Sequence, residues 1–187
     1  MKHWSESLSK LNACTDAVAY CAKFPSLESA WSACERGDWM LWYAGKTSGK
    51  VGSSSRLKVV AAAVKCAEIV LPLFEKKYPD DKSVRTCIET TNAYINGVAT
   101  LNDVKRDRKS AAYAYADAAA AVAADAATYA AVAYAASAAA DAASAAAYAA
   151  AYVYAAAYAA WESKRKETLK QCADIVRRHY PTPPTSN

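Results

Sequence analysis

From Ala111 to Ala160, 33 of 50 residues are alanine, and no glycine or proline occurs between Val98 and Tyr180. Alanine is the strongest helix former, so this tract reads as helix. Its small side chain also lets helix axes approach toward the short end of the usual ~8–10 Å range. As one helix, residues 105–179 would extend about 110 Å at ~1.5 Å per residue, whereas a compact domain of this size has a radius of gyration of about 16 Å. A break is therefore expected. On a helical wheel Asp117, Asp125 and Thr128 share one side, while Ser137, Asp141 and Ser144 fall on another. That flip predicts two helices joined between Ala130 and Ala138, with Ser137 as a candidate cap; a single helix polar on both sides is the alternative. In the hairpin, Tyr148, Tyr152, Tyr154, Tyr158 and Trp161 supply most of the packing volume and the polar tips.

The remainder also has helical periodicity. CTDAVAYCAKF stops at Pro25, and Ser26 is a candidate N-cap for SLESAWSACER. Asp38 can cap a short helix, WMLWYA, that ends at Gly45, and residues 46–55 have the composition of a flexible loop. Leu57, Val60, Val64, Leu71 and Phe74 recur at helical spacing from Arg56 to Tyr78, with Pro72 expected to bend the helix. Asp80 or Asp81 starts the next, whose face is Val84, Cys87, Ile88, Thr91 and Ile95 and which ends near Gly97. No segment alternates with a period of two. The expected architecture is an all-α helical bundle forming one compact domain. It comprises short N-terminal helices over 1–45, a loop over 46–55, a mid-chain helix pair over 56–104, the Ala/Tyr-rich helical hairpin over 105–180, and a disordered tail over 181–187.

Several function classes find no support in the residues. The net charge of +5 is spread evenly along the chain, which permits weak nucleic-acid contact without implying it. The N-terminal MKHWSESLSKLNACTDA lacks the order of a signal peptide, and Asp117, Asp125 and Asp141 interrupt the one long apolar-looking tract, so no membrane span is expected. The six cysteines then read as reduced residues of a cytoplasmic protein. His3 and His179 are the only histidines and neither CxxC nor HExxH occurs, so no metal and no cofactor is expected. Cys14 and Cys21, seven apart, read as two thiols packed on one helix face. AGKTSGK lacks the first glycine of a phosphate loop, because Met40 stands five positions before Gly45 and Ala44 before Gly49. No nucleophile elbow or Gly-rich oxyanion turn accompanies a cysteine, and Thr128 is the only threonine in the tract, too few for an ice-binding ladder. A non-enzymatic role is expected.

Two constellations suit binding. In ERGDWMLWYAG, Trp39 and Trp42 share a helix face with Tyr43, flanked by Arg36 and Asp38, the composition of an interface hot spot. The same spacing fills a core, which is the expected place for at least one tryptophan. In an antiparallel hairpin, Lys105, Arg106, Arg108 and Lys109 would lie beside Lys164, Arg165 and Lys166 as a basic end. In CADIVRRHY, Cys172, Ile175 and Val176 form an apolar stripe, with Arg177 and Arg178 favouring the helix C-terminal dipole.

The strings LNACTDAVAYCAKFPSLESAWSACERGDWMLWYAG, CAEIVLPLFEKKYPDDKSVRTCIETTNAYINGVAT, the Ala/Tyr/Asp tract and ETLKQCADIVRRHYP occur here in one order. That order resembles the immunity protein 5-like family of bacterial polymorphic-toxin loci and bacteriophage genomes. The resemblance runs from about Leu11 to Pro181, with GDWMLW and ADIVRRHYP its more specific parts. It implies a helical cytoplasmic protein that binds and neutralises a protein partner, either a toxin or a defence factor, as an immunity or phage counter-defence protein. Arg36, Asp38, Trp39 and Trp42, together with Lys105, Arg106, Arg108, Lys164, Arg165 and Lys166, are the candidate partner contacts. Two other roles stay open: a sponge for an anionic nucleotide stacked on Tyr148 and Tyr152, and a homo-oligomer packed through alanine faces.

Overall fold

The computed structural model describes residues 3–114 and 158–185. Among them every regular element is helical: α1 (Glu6–Ser9), α2 (Thr15–Cys21), α3 (Leu27–Ala33), α4 (Gly37–Thr47), α5 (Ser54–Lys77), α6 (Ser83–Ile95), α7 (Leu101–Ala114) and α8 (Tyr158–His179). This is the all-α bundle expected from the sequence. The predicted break between Ala130 and Ala138, and Tyr148 and Tyr152, lie outside the described residues.

The bundle is organised around α5. Val59, Val60, Ala63, Val64, Ala67, Val70, Leu71 and Phe74 are buried, as are Ala62 and Cys66. Buried positions so closely spaced surround much of the helix, which is how a helix packed on several sides reads. Its neighbours are α4, α6 and α8; α8 also packs on α4, and α7 packs on α6. Pro72 lies inside α5 and is exposed, so the backbone N–H it lacks is missing on the solvent side.

Local chemistry sets the ends. Ser26 caps α3 by accepting from the Ser29 amide at 3.2 Å, and Ser53 caps α5 by accepting from the Arg56 amide at 3.2 Å. The end of α6 is a Schellman motif: Gly97 has φ +73°, the Val98 amide donates to the Ala93 carbonyl at 2.8 Å and the Gly97 amide to Tyr94 at 3.0 Å. A capping box starts α7, with the Asp103 amide donating to Thr100 Oγ1 (3.2 Å) and the Thr100 amide donating to Asp103 Oδ2 (2.9 Å). That helix therefore begins at Leu101, ahead of the residue 105 at which the hairpin was expected to begin.

Two expectations near α4 change. The helix passes through Gly45 to Thr47, because Gly45 is buried in the bundle and Thr47 Oγ1 donates to the Tyr43 carbonyl at 2.9 Å in the same turn. Arg36 occupies the N-cap position, while Asp38 lies inside the first turn with its carboxylate taken up by Arg36. The Gly/Ser loop that follows is fastened by Arg56, whose Nη1 donates to the Gly45 carbonyl (3.0 Å) and whose Nε donates to the Gly49 carbonyl (3.2 Å).

The start of α4 presses on α8. A Cβ added to Gly37 would lie 2.4 Å from Cys172 Cβ and 2.6 Å from the Ala173 nitrogen. Only glycine permits that approach. At the far end of α8, Trp31 Nε1 donates to the Tyr180 carbonyl at 3.0 Å, and Tyr180 Oη donates to the Ser55 carbonyl at 3.1 Å.

All six cysteines are free. Cys34, Cys66, Cys87 and Cys172 are buried, whereas Cys14 is exposed at the N-cap position of α2 and Cys21 is half-buried at its end. The seven-residue spacing of Cys14 and Cys21 does not give a packed pair, because only the second lies within the helix. Among the described residues, no helix is long and apolar enough to cross a membrane, and no group of metal-ligating side chains assembles.

Candidate functional site

Two faces of α4 do different work. Met40, Leu41, Ala44 and Gly45 are buried, together with Gly37. Trp39, Trp42 and Tyr43 are half-buried and packed against the core on another face, at spacings of three and four that α-helical geometry brings together. Lys46 continues that face and is exposed.

The short helices α1 to α3 cover this face incompletely. Tyr20 meets Trp39 and Phe24 in tilted contacts, with ring centroids 5.6 and 5.0 Å apart, and Trp31 meets Tyr43 edge-on at 6.1 Å. Between them lies a cavity of about 50 Å³, walled by residues that include Leu8, Ala17, Leu27, Cys34 and Met40 as well as the rings. Cavities for drug-sized ligands run from about 300 Å³ upward, so this one is too small for a nucleotide. Its walls are apolar and aromatic apart from the thiols of Cys21 and Cys34 and the tyrosine hydroxyls. Burial pushes the Cys34 thiol up to about 11, so at neutral pH it is not the thiolate a nucleophile requires. The chemistry available here is apolar contact.

Arg36 and Asp38 form a self-contained pair. Arg36 Nε donates to Asp38 Oδ1 at 2.8 Å and Nη2 donates to Asp38 Oδ2, so the grip is bidentate. The Arg36 guanidinium carbon sits 4.2 Å over the Trp39 ring, and the Asp38 carboxylate holds the arginine above its ordinary value. Asp38 is buried while the Arg36 side chain is 33% exposed. The surface here is a flat guanidinium laid on an indole, with its charge already countered. Lys46 repeats the stacking in looser form, its Nζ 5.9 Å over the Trp42 ring.

The other predicted contacts are placed differently. On α7, Lys105 is exposed, Arg106 is ion-paired to Asp103 (2.9 Å) and Asp107 (2.8 Å), and Arg108 is half-buried. On α8, Lys164 pairs with Glu167 at 2.9 Å, Arg165 is half-buried and Lys166 is exposed. The helix carrying the first group rests on α6 and the helix carrying the second on α4 and α5. The hairpin turn that would bring the groups together falls in residues 115–157, outside the described residues.

Two residues have roles the sequence did not announce. Arg177 leaves its own helix end and donates from Nη1 to the carbonyls of Cys34 (2.6 Å) and Trp31 (3.4 Å), satisfying the C-terminus of α3. Arg85 makes two bonds, of 2.6 and 2.7 Å, to the Glu75 carboxylate and so clasps α6 to α5. Neither partnership has a local sequence signal, since each joins separate helices. The GKT of the rejected phosphate loop falls in the last turn of α4, where carbonyls rather than amides point outward.

The bundle and its aromatic edge define a helical protein whose exposed chemistry is suited to contact. This chain belongs to the family described as Imm-5 like putative immunity protein, whose model matches residues 49–180. The match includes CADIVRRHY, ends at Tyr180 and begins after GDWMLW. No curated protein and no solved structure matches the chain.

Proposed function

We propose that this chain is a non-catalytic immunity-type protein that binds a protein toxin or defence factor in the cytoplasm and neutralises it by covering its surface. Family membership supports an immunity role with a protein partner. The contact residues proposed are Arg36, Asp38, Trp39 and Trp42 along α4, with the exposed lysines of α7 and α8 as a secondary surface. The observation that carries this assignment is the half-exposed indole edge with Arg36 fixed over Trp39 at 4.2 Å. Both groups are already ordered by their neighbours, so a partner docks against them with little further loss of side-chain freedom. Tryptophan and arginine are also the residues on which binding energy concentrates.

Co-expression with toxin-like genes drawn from loci that carry this family, followed by affinity purification, tests the proposal. A stoichiometric complex is expected, weakened by about 2 kcal/mol or more in Trp42→Ala, as for a hot-spot aromatic. Recovery of no stoichiometric protein from any such pair would overturn it. The neighbouring genes then decide between toxin immunity and phage counter-defence.

A further inference from the structure

From Trp39 to Ala67 the chain carries five lysines and arginines and no aspartate or glutamate, and no acidic side chain follows Asp174. The fold joins these two acid-free stretches. Tyr180 Oη donates to the Ser55 carbonyl at 3.1 Å, and Lys58 Nζ lies 4.7 Å over the Tyr180 ring. Arg56 reaches the Gly45 and Gly49 carbonyls, which fixes the neighbouring Lys46 and Lys50 to the same end of the bundle. Lys46, Lys50, Arg56 and Lys58 thus gather where α4 and α8 finish and α5 begins.

Several cations elsewhere are ion-paired, Lys65 with Glu68, Arg85 with Glu75, Arg106 with Asp103, Lys164 with Glu167 and Lys170 with Glu35, and the unpaired ones among the described residues, such as Lys10, Lys23 and Lys76, are scattered over separate elements. Among the described residues, Lys46, Lys50 and Lys58 have no carboxylate within ion-pair distance. All three are exposed. Three lysine charges gathered without a carboxylate among them repel one another, which works against the compact state. Beside them stand Val51, 48% exposed, and the Trp42 and Tyr180 rings beneath two of the ammonium groups.

We propose that this end receives an acidic face of the protein partner, whose carboxylates supply the missing counter-charge. The inference rests on the protein-binding function above and names the chemistry of the partner's contact surface. Trp42 and Lys46 make the basic end continuous with the aromatic edge of α4. Apolar and aromatic groups among few cations suit a folded protein surface better than a nucleic-acid backbone, for which affinity is built from about 6–10 phosphate contacts. A cationic cleft of a nuclease would be repelled here, so the surface covered on the partner is an acidic one.

The test titrates the full chain into a fluorescein-labelled polyglutamate peptide and, separately, a labelled DNA duplex, at low and at physiological salt. Two variants of equal charge are compared. One carries Lys46→Glu, Lys50→Glu and Lys58→Glu; the other carries Lys10→Glu, Lys23→Glu and Lys76→Glu, three exposed lysines outside the proposed contact surfaces. The peptide is expected to bind the unaltered chain, with affinity falling about tenfold or more in the first variant and changing little in the second. Equal losses would reduce the effect to bulk charge and overturn the proposal, as would tighter binding of the duplex or no peptide binding at low salt. Glutamine versions of the same triples settle the comparison should a glutamate triple not fold. A chain that captures a stoichiometric protein in the co-expression experiment yet ignores polyglutamate would keep the proposed function and lose this inference.

Discussion

Arg177 Nη1 donates to the Cys34 carbonyl at 2.6 Å, joining the last turn of α8 to the end of α3 across 143 residues of sequence. The same nitrogen reaches the Trp31 carbonyl at 3.4 Å, while Nη2 pairs with Asp174 at 2.7 Å. A seven-residue helix cannot satisfy its own last carbonyls, so a cation from a neighbouring element completes it. Hydrogen bonds from a charged donor contribute about 1.5–3 kcal/mol, so Arg177→Ala is expected to destabilise the protein by roughly 2 kcal/mol. Urea unfolding measures this. Arg177→Lys should recover only part of the loss, because an ammonium cannot reproduce the guanidinium fork. An unchanged midpoint for Arg177→Ala would show that the α3 carbonyls do not depend on it.

Gly37→Ala sets two effects against each other. Within a helix, alanine is favoured over glycine by about 1 kcal/mol. Here the new Cβ would fall 2.4 Å from Cys172 Cβ and 2.6 Å from the Ala173 nitrogen, and backbone cannot swing aside as a side-chain tip can. Overpacking a tight contact costs typically about 1–3 kcal/mol, so the steric term wins and the melting temperature is expected to fall. A rise would mean that α8 moves away from α4 without penalty.

How much of this was legible beforehand depended on the range of the interaction. Ser26 as a cap and Gly97 as a stop follow from chemistry within four residues, and both form as expected. The start of α7 at Leu101 is equally local, and the Thr100/Asp103 box was its signal. Gly45 misleads because glycine ends exposed helices, whereas here it is buried and its carbonyl is bonded to Arg56, 11 residues on. Burial is a tertiary fact. For the site, the aromatic spacing of Trp39 and Trp42 was visible, yet their half-buried state depends on Tyr20 and Trp31 from other helices. The acid-free run from Trp39 to Ala67 was open to simple counting. Its meaning needed Tyr180 to place the chain end beside Ser55.

Alkaline pH is expected to loosen the protein. Burial raises the Cys34 thiol from 9.0 to about 11 and the phenols of Tyr20 and Tyr180 from 10.0 to about 12. Because each folded value lies above the unfolded one, no stability is lost below about pH 9, where both states hold their protons. As pH rises through 9 to 12 the unfolded chain releases protons that the folded chain retains, and stability falls. Thermal melts at stepped pH should show the midpoint dropping first above pH 9 and further above pH 10. Cys34→Ser is expected to lessen the earlier part of that drop, the raised thiols of Cys66 and Cys21 keeping the rest, and a melting temperature flat to pH 11 would contradict the argument.

The short helices α1, α2 and α3 have four, seven and seven residues, too few to hold helix without tertiary support. Their support is the wall of a cavity of about 50 Å³ on α4, together with Arg177. By contrast Cys66 and Cys172 face each other where α5 packs on α8, with the Cys66 thiol 3.9 Å from the Cys172 carbonyl. Segments with fewer buried contacts open at lower free energy than the core. Thiol labelling read by mass spectrometry should therefore proceed from exposed Cys14 to half-buried Cys21, then Cys34, and last to Cys66, Cys87 and Cys172. Cys34 is buried as deeply as a core residue, at 6% exposure, so static accessibility alone would place it with the slow group. Its reacting ahead of them would show that α1 to α3 part from α4 while the rest of the bundle stays closed. Reaction of Cys34 in step with Cys66 would mean that the N-terminal helices open only when the whole protein unfolds.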